Sequence, residues 1–216
     1  MWLKSAYRRL VNRPMPLHHA TDSMAARILG IAQDEVRRFG AKRATLVSIA
    51  ETAGMTHANV YRYFPSKAAL MDAITAAWLR PLEALITEVS DSPDPAIDKL
   101  ERLFIALARS YRDRLETEPK LFDLFVDAFD EDRAIARQHR SRIRTLLDRV
   151  LEEGISSGAL QIKHRDRAMT LLLDGLFRFL QPSAIRLDAG ISRKSIEGRL
   201  ATTLTAILSA FRSEIV

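Results

Sequence analysis

The chain has 216 residues, 47% of them hydrophobic and 28% charged, with a net charge of +6 and no cysteine. That balance is globular, not disordered or fibrous, and the missing thiols exclude disulfides, thiolate metal sites and cysteine nucleophiles. No run approaches eighteen uncharged apolar residues, so no segment reads as a membrane-spanning helix. A cysteine-free chain of this kind fits a reducing, cytoplasmic setting. The charge is uneven: residues 1–67 hold eleven Lys and Arg against four acids, and residues 68–216 hold twenty-two against twenty-three. The positive excess therefore falls in the first third, which points to a nucleic-acid or anionic-surface footprint there with a neutral body behind it.

Met1–Ala20 contains no acid and carries Lys4, Arg8, Arg9 and Arg13. It reads as a flexible basic arm or a weak helix, one that Pro14 and Pro16 would end; Met15 offers a second start. Thr21, Asp22 and Ser23 are N-cap candidates for a helix through Ala25, Ile28, Leu29, Ala32, Val36 and Phe39, which Gly40 stops. Thr45 can cap a short helix containing Ile49 and Ala50, Gly54 makes a tight corner, and Thr56 can cap another carrying Val60 and Tyr61. Ser66 caps a longer helix through Leu70, Ile74 and Trp78, which Pro81 kinks or breaks.

Beyond the turn cluster Asp91–Pro95 the periodicity stays helical. One stripe is Leu100, Leu103, Phe104, Leu107, Tyr111 and Leu115, and Leu121–Phe129 is apolar almost all round. A second stripe runs from Ile135 to Val150 and ends at Gly154 and Gly158, followed by segments Ala168–Leu180 and Ile196–Phe211. No alternating pattern of useful length occurs. The fold class is all-α, with about nine helices.

Leu46–Tyr63 has the spacing of a helix-turn-helix. Ala50 lies where two helices must cross closely, and Gly54, four residues on, supplies a left-handed turn. Ile49, Ala53, Met55 and Val60 belong to the small shared core; Val47, Ser48, Glu51, Thr52, His57, Ala58 and Asn59 stay outside. Together with Phe39-Gly40 before it and Tyr61, Phe64, Lys67 and Leu70 after it, this stretch resembles the DNA-binding domain of TetR-family transcriptional regulators. The close resemblance covers about Ala25–Ile74.

The resemblance implies three regions: a basic arm over 1–20, a DNA-binding domain over 21–67, and an effector-binding and dimerisation domain over 68–216. It implies that the third helix enters the major groove of double-stranded operator DNA, placing Thr56, His57, Ala58 and Asn59 nearest the bases. Asn59 suits adenine and His57 suits guanine, while Ala58 allows close approach or touches a thymine methyl. Thr45 and Lys67, each at a helix N-terminus, and Tyr61, Arg62 and Tyr63 are the expected phosphate contacts. The family is mostly repressive, binding palindromic sites as a homodimer and released by a small molecule.

Dimerisation in the family uses the last two long helices. Leu172, Leu176, Leu200, Leu204, Ile207, Leu208 and Phe211 are the expected interface, burial within the chain's own core being the other reading. A largely apolar effector is expected among Trp78, Phe104, Tyr111, Phe122, Phe125, Phe129 and Phe177, with His139 and Arg178 as polar contacts. His139 also reads as a satisfied core residue, and Arg178 as an intrahelical partner of Asp174. No cofactor, metal or catalytic residue is expected, because the histidines show no metal-ligand spacing and no phosphate loop or nucleophile elbow occurs. A helical enzyme or a membrane-surface protein anchored by Met1–Arg13 would leave the pattern at Leu46–Leu70 unexplained.

Overall fold

The computed structural model describes residues 20–213, and those residues are helical without strands. The basic arm lies outside the described residues except for Ala20, as do the side chains of Thr21, Asp22 and Ser23. Helix α1, Ala20–Phe39, starts ahead of those expected caps. Its residues Ile28, Ala32 and Val36, four apart, have no exposed surface, whereas Phe39 is 54% exposed and lies outside the core that its spacing suggested.

Helix α2 is Leu46–Ala53 and α3 is His57–Tyr63. Helix α4, Lys67–Ser90, opens with the Ser66 hydroxyl accepting from the Ala69 N–H at 3.0 Å. It runs unbroken through Pro81. A proline inside a helix costs about 3 kcal/mol, and the flanking Leu79, Leu82, Leu85 and Ile86 are all buried, which offsets that cost. Then follow α5, Ala96–Thr117, α6, Pro119–Asp130, and α7, Ala134–Ser156.

The expected single segment Ala168–Leu180 is divided. Helix α8 spans Arg165–Gly175 and a four-residue helix α9 spans Phe177–Leu180. Gly175 presses on Ile207, whose Cδ1 is 2.8 Å from where a Cβ would lie. That division and the short α10, Pro182–Leu187, bring the described helices to eleven, the last being α11, Arg193–Arg212.

The chain forms two compact units, and it first passes from one to the other after Pro81. Among the described residues one unit joins 20–81 to Glu116–Ile135, so α6 belongs with the first three helices. There Glu118 accepts from Arg37 Nε of α1 at 2.8 Å and from Trp78 Nε1 of α4 at 2.5 Å, and Lys120 donates to the Arg38 carbonyl. Trp78, Phe122, Phe125 and Phe129 pack edge to face, with ring centroids 4.7 to 6.3 Å apart.

The other unit joins Leu82–Leu115 to residues 136–213. Its core takes Leu100, Phe104 and Leu107 from α5, Leu147, Val150 and Leu151 from α7, and Leu204, Leu208 and Phe211 from α11. Buried charge is compensated inside it. Lys99 reaches both Glu153 oxygens at 2.8 Å, and the Arg112 guanidinium donates to the carbonyls of Asp188, Ala189 and Ile191. Among the described residues no helix is long and apolar enough to cross a membrane.

Candidate nucleic-acid interface

Two threonines and one glycine frame the helix-turn-helix. Thr45 Oγ1 accepts from the Ser48 N–H at 3.1 Å and caps α2, and Thr56 Oγ1 accepts from the Asn59 N–H at 3.4 Å and caps α3. Between them Gly54 has φ +67°, with its N–H on the Glu51 carbonyl and the Met55 N–H on the Ala50 carbonyl, each at 3.0 Å. This double closure satisfies the last carbonyls of α2 and turns the chain into α3. Leu46, Ile49, Ala50 and Ala53 of α2 are buried, and so is Val60 of α3.

Every other residue of α3 is exposed. His57, Ala58, Asn59, Tyr61, Arg62 and Tyr63 all face solvent, as do Thr45 and Thr56. His57 and Tyr61 meet edge to face with centroids 4.8 Å apart. Lys67, at the start of α4, is half-buried and donates to the Lys42 carbonyl at 3.2 Å, which leaves two of its three N–H groups for another acceptor. Two expectations change. Ser48 is half-buried and donates to the carboxylate of Glu35, itself buried in α1, because that hydroxyl lies where the first two helices meet. Met55 is only partly covered and lines an open cleft.

That cleft, about 610 Å³, was not legible in the motif. Met24 and Arg27 of α1 form one wall, and Thr56, Asn59, Arg62 and Tyr63 of the third-helix region form the other. Val47, 51% exposed in the first turn of α2, is a further apolar group on the surface of this domain. Helical periodicity separates Arg27 from α3 by thirty residues and carries no hint of their proximity.

The nine residues expected around an effector fall into two groups. Trp78, Phe122, Phe125 and Phe129 form the aromatic cluster of the first unit. In the second unit Phe104 and Tyr111 are buried, whereas Phe177 is 56% exposed. The helix break at Leu176 leaves Asp174 and Arg178 on different helices. Arg178 instead donates to Asp188 at 2.5 Å.

His139 is fully buried with both ring nitrogens engaged. Nδ1 lies 2.8 Å from Glu83 Oε1, and Nε2 lies 2.7 Å from the Tyr111 hydroxyl. A carboxylate only accepts, so Nδ1–H donates to Glu83 and the Tyr111 O–H donates to Nε2. Burial, and then the cations Arg114 and Arg140, push the His139 pKa down to about 4. Glu83 pulls the other way, but Arg142 shares its charge. Burial likewise raises the Tyr111 phenol. His139 thus joins Glu83 and Tyr111 in one buried hydrogen-bonded chain.

The seven expected interface residues are also buried within the single chain: Leu172, Leu176 and Phe211 have no exposed surface, and Leu200, Leu204, Ile207 and Leu208 have at most 7%. They are spent on the core. The apolar groups left outside on this side are Leu171 at 37%, Phe177 at 56% and Leu187 at 83%. Among the described residues no group of His, Asp and Glu is arranged to hold a metal.

Residues 28–74 match the model of bacterial regulatory proteins of the tetR family, and residues 96–201 match that of the tetracyclin repressor-like C-terminal domain. The HTH-type transcriptional regulator RutR of Escherichia coli K12 is 38% identical over 88 residues, which cover 39% of this chain and 41% of RutR. The chain thus matches about two fifths of that relative's length. In structure it is similar to a TetR/AcrR-family regulator from Thermobifida fusca, with a TM-score of 0.65, 19% identity and coverage of 88% and 99% of the two chains. It is also similar to Thermus thermophilus FadR, a repressor solved with lauroyl-CoA, with a TM-score of 0.58, 21% identity and coverage of 89% and 95%.

Proposed function

Because the chain belongs to the TetR family of transcriptional regulators, we propose that it is a repressor that binds a roughly palindromic operator as a homodimer and is released by a small, largely apolar effector. The observation that carries the DNA half is α3 itself, rigidly capped and anchored by Val60, with every other side chain left to solvent. An anchored helix with an exposed face is what entry into a major groove requires. Thr45 and Lys67 lie at helix N-termini that favour phosphate.

The homodimer rests on exposed groups. Leu171 and Phe177 lie with the small side chains Thr202, Thr205, Ala206 and Ser209 on the solvent sides of α8, α9 and α11. Small residues let two such helices approach closely, and burial removes the apolar groups from water. The effector half rests on α6. An apolar molecule entering the Trp78–Phe122–Phe125–Phe129 cluster displaces a helix whose Glu118 and Lys120 grip Arg37 and Arg38 of α1. The fatty acyl ligand of the Thermus protein supports an apolar chemistry.

Titration with duplex DNA across a salt series, with anionic vesicles as the comparison, tests the reading. Affinity falls steeply with salt, with a slope of about 0.9 per neutralised phosphate. Lys67→Ala weakens all duplexes alike, whereas Asn59→Ala relaxes preference at particular base pairs by about 1–3 kcal/mol. Salt-independent binding, or vesicle binding in place of duplex binding, overturns it.

A further inference from the structure

The cleft between α1 and α3 is lined by cations from two different helices. Several arginines of the molecule meet carboxylates: Arg37 meets Asp34 and Glu118, Arg133 meets Asp72, and Arg193 meets Asp113. Arg27 and Arg62 both line this cleft, from α1 and α3, and neither forms an ion pair with a described residue. Glu51 lines it too without pairing with either. Two guanidinium groups lining one cleft raise its positive potential, and an anion there is attracted by both. Guanidinium is also the side chain whose fork of donors matches phosphate oxygens two at a time. Tyr63 and Asn59 add a hydroxyl and an amide to the same rim.

We propose that Arg27 and Arg62 together hold one backbone phosphate of the bound duplex, so that the DNA footprint continues from α3 across the cleft onto the first turns of α1. This rests on the DNA-binding reading above. The occupant is a duplex phosphate and not a free anion because Asn59, Arg62 and Tyr63 belong to the same exposed short helix that meets the groove. A strand lying along that helix brings its phosphates to the cleft mouth. Glu51 opposes the phosphate at the same rim and limits the strength of the contact.

The test uses the full chain and duplexes carrying single neutral methylphosphonate linkages, scanned across the site. Both arginines are exposed and without a described partner, so Arg27→Ala and Arg62→Ala fold with unchanged melting temperature. Each lowers the salt slope by up to about 0.9 per chain, and each erases the penalty at one and the same linkage. The double variant loses no more slope than one phosphate accounts for, and Glu51→Gln tightens binding. Arg27→Lys keeps the charge and recovers most of the slope. If Arg27→Ala leaves slope and linkage profile unchanged while Lys67→Ala alters both, the proposal fails and the DNA-binding reading stands. If inorganic phosphate at millimolar concentration stabilises wild type but not Arg27→Ala, the cleft is a free-anion site and the proposal fails. If wild type binds no duplex at all, both fail.

Discussion

His57 and His139 show how differently the two parts of this molecule treat the same chemistry. His57, on α3, is exposed and meets Tyr61 edge to face. His139 is buried, and each nitrogen has a partner fixed by another helix. The arginines repeat the contrast: Arg27 and Arg62 line an open cleft without ion pairs to described residues, whereas Arg112 gives its donors to three backbone carbonyls. Unpaired polar groups are costly in a core and cheap in water. A surface that must meet another molecule keeps its donors free, and a helical body that must hold its shape spends them internally.

The strongest challenge to this contrast is on the hydrophobic side. Leu204→Asp places a charge in the core of the second unit and costs at least about 4 kcal/mol, enough to unfold that unit in a denaturant titration. Phe177→Asp, at a half-exposed position, leaves the chain folded and shifts sedimentation from dimer to monomer. Should Leu204→Asp give a folded monomer instead, the interface lies where the sequence first suggested and the core assignment is wrong.

Acid probes the buried polar chain next. The folded His139 pKa, about 4, lies below its usual value near 6.5. Below pH 6.5 the unfolded chain takes up a proton that the folded chain refuses. The stability contributed is therefore complete above pH 6.5 and is lost as pH falls toward 4, by up to about 1.4 kcal/mol per unit. His139→Gln flattens this part of the profile. An unchanged profile in that variant means that other groups carry the dependence. Tyr111→Phe deletes the hydroxyl facing Nε2 and costs about 1–3 kcal/mol, with DNA affinity per folded molecule preserved.

The smallest effect expected is at the turn. Gly54 has φ +67° with open space where a Cβ would project, so Gly54→Ala meets strain but no clash. It costs about 1 kcal/mol and lowers the melting temperature by a few degrees. A drop several times larger means that the Gly54 corner has a packing role that the open space does not reveal.

Local chemistry was legible in the chain. Thr45, Gly54 and Thr56 act within four residues of themselves, through caps and a left-handed turn, so their roles could be read from spacing alone. The same holds for Ser66 and for the stripe Leu100–Tyr111, whose periodicity needs only a helix to give it a face. Contacts between distant segments were not legible. Periodicity showed that Leu204 and Leu208 share an apolar face, but not whether their own chain or a second copy covers it. It showed His139 on an apolar stripe without revealing Glu83 and Tyr111, 56 and 28 residues away. Ser48 reaching Glu35, Gly175 lying against Ile207, and Arg27 lining one cleft with Arg62 all depend on helix crossings. Those crossings are decided by how whole faces interdigitate, a property of many side chains at once that no single stretch of sequence contains.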